Sequence, residues 1–327
     1  MEQTVHFLIR FPRGMCVEHD VLGSTWPVDG TPTPCEVVLP SGILPGGTDG
    51  WSLDSPPGID DGVLKGFDRF TGQSGALWGN YQSRDSISGE GDALLYRSVA
   101  VTTFSGSKGD EERDFAKATG TALNRWVGSV AEWLEVLTGA DLQPHPRTAD
   151  REHYIEGLPV TVGANGRPDW FANVDPVVGV HTDSVAVTAE MWASAIERVN
   201  GEMVVPSAHR YLRDGRAALF RDNYRKSIVD AATACEVALA QAIRDIVGDR
   251  RQAEINQLLK GAHGVMEVFD IHEVVALKQH TVRRKRVMDQ LANKRNLAVH
   301  QGEMITREQA RAGLAVAAEI VKSVSSL

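Results

Sequence analysis

One change of pattern constrains this chain more than any other feature. Through about residue 205 the apolar residues come in short runs broken by Gly and Pro, whereas from Pro206 they recur at three- and four-residue steps almost to Leu327. Short alternating runs suit strands and the longer period suits helices, and one element cannot satisfy both. The chain is therefore expected to be α+β. A β-rich domain with one or two helices should occupy residues 1–205, and an all-α antiparallel helical bundle residues 206–327. A length of 327 residues accommodates two such domains.

Charge breaks at the same place. From Ser207 onward 20 Lys and Arg face 14 Asp and Glu, which leaves 14 against 29 in the first 206 residues out of chain totals of 34 and 43. The halves therefore carry +6 and −15 and together make the net −9. All seven Trp, from Trp26 to Trp192, lie in the acidic half. Such asymmetry marks separate modules, and a basic half suits a polyanionic partner. Opposite charges also attract, so two roles are open for the first domain: a sensor or regulator that restrains the second until a ligand or protein binds it, or an acidic domain that only confers solubility or recruits a partner.

Within the acidic half, Val5–Phe11, Cys35–Leu39 and Ala93–Phe104 are the best strand candidates, and strand-like segments return at Tyr154–Gly163 and Val177–Val187. One long helix is predicted through Phe115, Thr119, Ala122, Trp126, Val130, Trp133 and Leu137, opened by Asp110-Glu111-Glu112, which suit the positive end of the helix dipole. A shorter helix, Ala189–Val199, follows a cap at Thr188. The Gly-rich pieces match neither a phosphate-binding loop nor a nucleophile elbow.

Several function classes are excluded by what is missing. Three scattered Cys cannot form a disulfide framework or a Cys-based zinc site. Cys235 lies on an apolar helix stripe and reads as a core residue. The histidines make no metal pair, and His272-Glu273-Val274-Val275-Ala276 lacks the second His of a zinc-protease helix. No metal or cofactor is expected. No apolar run reaches the roughly 18 residues of a membrane span, and Met1–Gly14 has no signal-peptide pattern, so no membrane association and a cytoplasmic location are expected.

The basic half reads as five helices: Ser207–Phe220, Asn223–Val247, a short one near Arg250–Lys260, Val282–Val299 stopped by Gly302, and a last one from Thr306, where Thr306-x-x-Gln309 is a capping box. Two charges interrupt the apolar stripes of these helices. Glu236 falls among Ile228, Ala232, Cys235, Leu239, Ile243 and Ile246, and Arg295 among Met288, Leu291, Ala292, Ala298 and Val299. Glu and Arg are almost never buried unpaired. They are expected to face each other as an ion pair. A bundle could use such a pair simply to fix helix register.

Arg295 is followed by Asn296 and, five positions on, by His300. At about 100° per residue Arg295 and His300 lie about 140° apart on an ideal helix. They converge only if the helix ends near His300 or the Arg side chain reaches round, and Gln301-Gly302 favours the ending. The segment Leu291-Ala292-Asn293-Lys294-Arg295-Asn296-Leu297-Ala298-Val299-His300-Gln301-Gly302 resembles the signature of HEPN domains, helical bundles with an Arg, a polar residue after it and a His four to six residues beyond. Asn223–Ile228 leading into Ala231–Glu236 is similar to the family's earlier helices. The likeness is closest to the Apea-like branch, covers roughly Tyr211–Leu327 and touches none of the first domain.

The resemblance implies a metal-independent endoribonuclease that cleaves single-stranded RNA with the ribose 2′-hydroxyl as nucleophile. It also implies a homodimer joined through the C-terminal domain, in the setting of bacterial antiviral defence or toxin–antitoxin regulation. The residues suit that chemistry. His300 can exchange a proton near neutral pH, and Arg295 offers a permanent forked cation for the charge that builds on phosphorus. Asn296 can orient the phosphate or the imidazole, and Glu236 can hold the guanidinium. Arg283, Arg284, Lys285 and Arg286, with Lys294, form the densest positive run and are expected to attract the RNA backbone. The other reading is a non-catalytic HEPN module that binds RNA or a nucleotide, or serves as a dimerisation scaffold.

Overall fold

Two long antiparallel strands organise the first unit. In the computed structural model, which describes residues 2–42, 53–54, 56–57, 78–83, 91–107, 109–139, 155–161, 186–248, 251–277, 280–325 and 327, β1 runs over Glu2–Glu18. It pairs antiparallel with β5, Gly91–Ser105, along nearly its whole length, with one irregularity between Arg10 and Met15. The sequence pattern places a strand only over Val5–Phe11, because Pro12-Arg13-Gly14 reads as a break. A shift of register there absorbs those residues and lets the strand continue.

Around this pair lie β2 (Thr25–Val28), β3 (Cys35–Val38), β4 (Gly79–Ser83) and β6 (Ile155–Thr161). The six strands follow the order β2-β3-β5-β1-β6, and β4 also pairs with β5. β5 is long enough to serve β3 along Val99–Thr102 and β4 along Gly91–Leu95. Every strand pair is antiparallel. Of the segment Val177–Val187, expected as a strand, all but Ala186 and Val187 lies outside the described residues. Val187 itself bridges Val17 in parallel, with its N–H donating to the Cys16 carbonyl at 2.8 Å.

Two helices cover this sheet. α1, Asp110–Thr138, buries Leu123, Trp126, Val130, Trp133 and Leu134, which recur at three- and four-residue steps. α2, Ala189–Asn200, is capped by Thr188 Oγ1, which accepts from Met191 N at 3.1 Å. Two indoles tie these parts together: Trp126 Nε1 donates to Asn200 Oδ1 at 2.9 Å and Trp133 Nε1 to the Met203 carbonyl at 3.2 Å. The chain divides into two compact units, the first comprising Met1–Thr138 with Leu142–Val204 and the second Gly139–Asp141 with Val205–Leu327. The protein is α+β, with its sheet in the first unit and helices throughout the second. No helix among the described residues is long and apolar enough to cross a membrane.

The second unit contains α3 (Ser207–Phe220), α4 (Tyr224–Val247, capped by Asn223), α5 (Gln252–Gly261), α6 (Val265–Ala276), α7 (residues 284–301) and α8 (Arg307–Val324). Thr306 and Gln309 close the expected capping box of α8 reciprocally. Apolar residues of all six helices share one core, including Leu212, Ile228, Leu239, Ile255, Phe269, Leu291 and Leu314. Packing is closest at Gly313. A Cβ there would sit 2.1 Å from Ile228 Cδ1 and 3.0 Å from the Gln290 carbonyl, so α4, α7 and α8 meet only because that position has no side chain.

α6 is the helix that the sequence pattern misses. Its twelve residues, VMEVFDIHEVVA, carry Glu267, Asp270 and Glu273 on one face, but the stripe is blurred because His272 falls on the buried side and Val274 on the exposed one. The buried members are Val265, Val268, Phe269 and His272, a helical stripe, while Val274 is 72 % exposed. His272 carries a second surprise. Its Nδ1 lies 3.0 Å from His280 Nε2, and His280 stacks on Phe269 with centroids 4.2 Å apart. The sequence offers no reason to pair these two histidines. Their nitrogens share a hydrogen bond, and no group of three metal-ligating side chains occurs among the described residues.

Burial holds both imidazoles below the usual histidine range, and for His280 the neighbouring His272 adds to it. His209, beside Ser325 Oγ at 3.2 Å, is lowered for the same first reason. A depressed histidine is neutral when folded but takes up its proton once unfolded. Its contribution is intact above the unfolded value of about 6.5 and is lost as pH falls below it toward the folded value. Melting temperature is therefore expected to fall steadily from pH 7 to pH 5. In His280→Phe, which keeps the stack on Phe269, the fall should be shallower. A pH series of thermal melts on both proteins checks this, and equal slopes would contradict it.

Candidate active site

A helix of regular pitch would hold Arg295 and His300 apart, yet the structure joins them. The reason lies in α7, which alternates α turns at Arg284–Val287 and Asn293–Asn296 with π turns at Met288–Ala292 and Leu297–Gln301. In a π turn the N–H bonds back five residues instead of four, so residues five apart come nearly into line. Gly302 N–H accordingly reaches the Leu297 carbonyl, and its left-handed φ of 67° ends the helix there. The wide turn carries His300 back over Arg295. The helix also ends next to His300, as Gln301-Gly302 indicates from the sequence.

Arg295 is the centre of the group. Its Nη1 lies 3.3 Å from Asn296 Oδ1 and 3.3 Å from His300 Nε2. A guanidinium has only donors, so His300 Nε2 accepts here and carries a lone pair. Arg295 is half-buried, and Asn296 and His300 are exposed. These residues and Gln301 form one wall of an open pocket of about 650 Å³ whose other lining residues are Ala262, His263 and Gly264. That second wall is the turn leading into α6. Gly264 adopts φ 98°, a left-handed conformation that favours glycine, and the His263 N–H donates to Glu267 Oε2 at 2.7 Å.

The expected Glu236–Arg295 ion pair does not form. Among the described residues no salt bridge joins them, and Glu236 Oε1 is buried without a hydrogen-bond partner. The π turns explain the failure. They rotate the buried face of α7 onto Val287, Leu291, Ala292 and Ala298, leaving Met288 and Val299 each 37 % exposed and Arg295 half out of the core. Glu236 instead approaches the start of α6, its Oε1 3.8 Å from where a Gly264 Cβ would stand. It lies behind the pocket wall and does not line the pocket. Burial raises its carboxyl above the usual range, against the charge of Arg295 and the Val265 amide, which pull it down.

A raised carboxyl loses stability as pH climbs from its unfolded value through its folded one, and the deficit persists above that. Glu236→Gln removes the buried charge and keeps the shape. It is expected to leave the melting temperature at pH 7.5 unchanged or raised by about 2–4 °C, on the order of 1 kcal/mol. A pronounced drop in a thermal melt would show that Glu236 holds Arg295 after all.

The basic run is also altered by the fold. Arg284 grips Asp270 with both ends of its fork, Nε to Oδ1 at 2.8 Å and Nη2 to Oδ2 at 2.7 Å. Lys285 pairs with Asp289, and Arg286 Nη1 with Glu319 Oε2 at 2.8 Å. Three of the four cations therefore face carboxylates that a phosphate would have to displace. Arg283 and Lys294 take no part in these pairs. The run stays exposed but is paired: α6 and α8 bring Asp270 and Glu319 to it from distant parts of the chain, and Asp289 lies one turn along α7.

Of the expected site residues, the fold thus unites Arg295, Asn296 and His300, sets Glu236 behind them and engages Arg284, Lys285 and Arg286 elsewhere. It adds His263, which sequence reasoning missed. The turn signal Gly261-Ala262-His263-Gly264 was legible, but nothing local said that it would face Arg295. No protein-family model, curated protein or solved structure matches this chain, so the site rests on its own geometry.

Proposed function

We propose that this protein is an endoribonuclease that cleaves single-stranded RNA by attack of the ribose 2′-hydroxyl, as its resemblance to HEPN domains implies. One observation carries the reading: Arg295 bridges Asn296 and His300 at the mouth of an open pocket. His300 Nε2 accepts from Arg295 in the free protein, and once the guanidinium turns to the phosphate that lone pair can take the 2′-hydroxyl proton, as a general base must. Arg295 stands next to it with donors to spare for the phosphate oxygens, where negative charge grows in the transition state. Asn296 Oδ1 accepts from the same guanidinium nitrogen and helps to hold it. The nucleophile is supplied by the substrate, so the reaction calls for no metal-bound water. RNA in a duplex holds its 2′-hydroxyl out of line with the leaving oxygen, so unpaired RNA is the substrate class.

The same reading has the chain working as a homodimer through its helical unit, in bacterial defence or toxin-type regulation, with a regulatory ligand or protein acting on the first unit. Incubating the purified protein with total RNA in EDTA tests the central claim. Fragments ending in 2′,3′-cyclic phosphate are expected, and activity that appears only with magnesium would overturn it. Light scattering at micromolar concentration tests the dimer. A second reading is a non-catalytic module that binds RNA or a nucleotide or acts as a dimerisation scaffold, and the ion pairs of Arg284, Lys285 and Arg286 favour only its scaffold form. It predicts no cleavage under the same conditions.

A further inference from the structure

The pocket has two walls, and each presents one imidazole. We infer that His263 is a second catalytic residue, the acid that protonates the leaving 5′-oxygen, while His300 acts as the base. This rests on the ribonuclease reading and extends it.

In-line displacement at phosphorus places the attacking 2′-oxygen and the departing 5′-oxygen at opposite apices. A proton must leave one and reach the other, so full acid–base help needs groups on two sides. On the wall from α7, Arg295 is permanently protonated, and Asn296 and Gln301 are amides. Only His300 can trade a proton there near neutral pH. On the wall from the α6 turn, Ala262 and Gly264 carry no functional group, which leaves His263. Among the lining residues, two and only two side chains can move protons, one on each wall. Neither is spent on the core, since both are exposed. Arg295 can only donate, so the His300 Nε2 it faces has no proton to give and suits the base role once the guanidinium moves to the phosphate, and the leaving-group proton then falls to His263.

The step balances. His300 takes the 2′-hydroxyl proton as the bond from the 2′-oxygen to phosphorus forms. The phosphorus–O5′ bond breaks, and O5′ takes its proton from His263. One strand ends in a 2′,3′-cyclic phosphate and the other in a 5′-hydroxyl, with no water consumed. The two imidazoles have exchanged protonation states and reset through solvent.

The test uses the full-length chain and two substrate types. One is a single-stranded oligoribonucleotide. The other is a mixture of the four nucleoside 3′-(4-nitrophenyl phosphates), whose nitrophenolate departs without a proton. His263→Ala is expected to lose about 10²–10³-fold on the oligonucleotide but only a few-fold on the activated esters. His300→Ala should lose heavily on both. His263→Ala is expected to keep its fold. Its backbone bond to Glu267 survives the substitution, and an unchanged melting temperature confirms the fold. A His263→Ala protein equally impaired on both substrates, or on neither, overturns the inference while leaving the ribonuclease reading intact. A parent protein that cuts neither substrate overturns both.

Discussion

His300→Ala is expected to reduce RNA cleavage in EDTA by about 10²–10⁴-fold, the usual worth of a positioned proton-transfer group. The loss should appear in kcat more than in KM, because the imidazole meets the 2′-hydroxyl only as the proton moves. Stability should barely change. His300 is exposed, and its one contact in the cluster is the 3.3 Å approach to Arg295 Nη1, so the melting temperature should stay within about 2 °C. Gel-resolved cleavage of a labelled oligoribonucleotide, with melts of both proteins, reads the two quantities together. Cleavage at the parent's rate would remove His300 from the chemistry. A large fall in melting temperature would instead show that the imidazole holds the π turn.

Arg295→Lys is expected to cost about 10²-fold in kcat, in the range found when a charge-stabilising donor is removed. The substitution keeps the charge and nearly the length. What it loses is the fork. A guanidinium can hold Asn296 Oδ1 and His300 Nε2 with one nitrogen and still aim others at a phosphate, whereas an ammonium is a single point with three donors. Arg295→Ala should lose more, roughly 10³-fold, since it also deletes the charge. Neither should unfold the protein, because Arg295 is half out of the core and its removal strands no buried carboxylate in an ion pair. Steady-state kinetics of the three proteins provide the check. A Lys variant as active as the parent would mean that charge alone matters and that the bridging geometry is incidental.

Both expectations depend on a contact that no regular helix would make, which shows where sequence reasoning reached its limit. The elements read correctly from the sequence are those decided within a turn or two of chain. α3 runs over Ser207–Phe220 as its apolar period indicates, Thr188 caps its helix, and Thr306 with Gln309 closes a capping box. In each case the partners are separated by three or four residues, so composition and spacing suffice. The change of period at Pro206 likewise fixed the α+β character, because a strand pattern and a helix pattern cannot exchange roles. The motif residues Arg295, Asn296 and His300 were legible as residues, by type and spacing.

What tertiary structure decided was where those side chains go. Two π turns in α7 rotate its buried face by an amount that no periodicity count contains, and this moved Arg295 away from Glu236 and toward His300. Such turns survive only because the facing core accepts Leu291 and Ala298 in that register, a matter settled by residues on α4 and α8. α6 was hidden because a histidine, His272, sits on its buried face and an apolar residue, Val274, on its exposed one, which only the packing of its neighbours decides. The carboxylates of Asp270 and Glu319 reach the basic run, and His263 reaches the pocket, across separations of 14 to 37 residues. Local hydrogen bonds act over one turn, and sequence records them. Packing sums over the whole core, and only the folded chain carries out that sum.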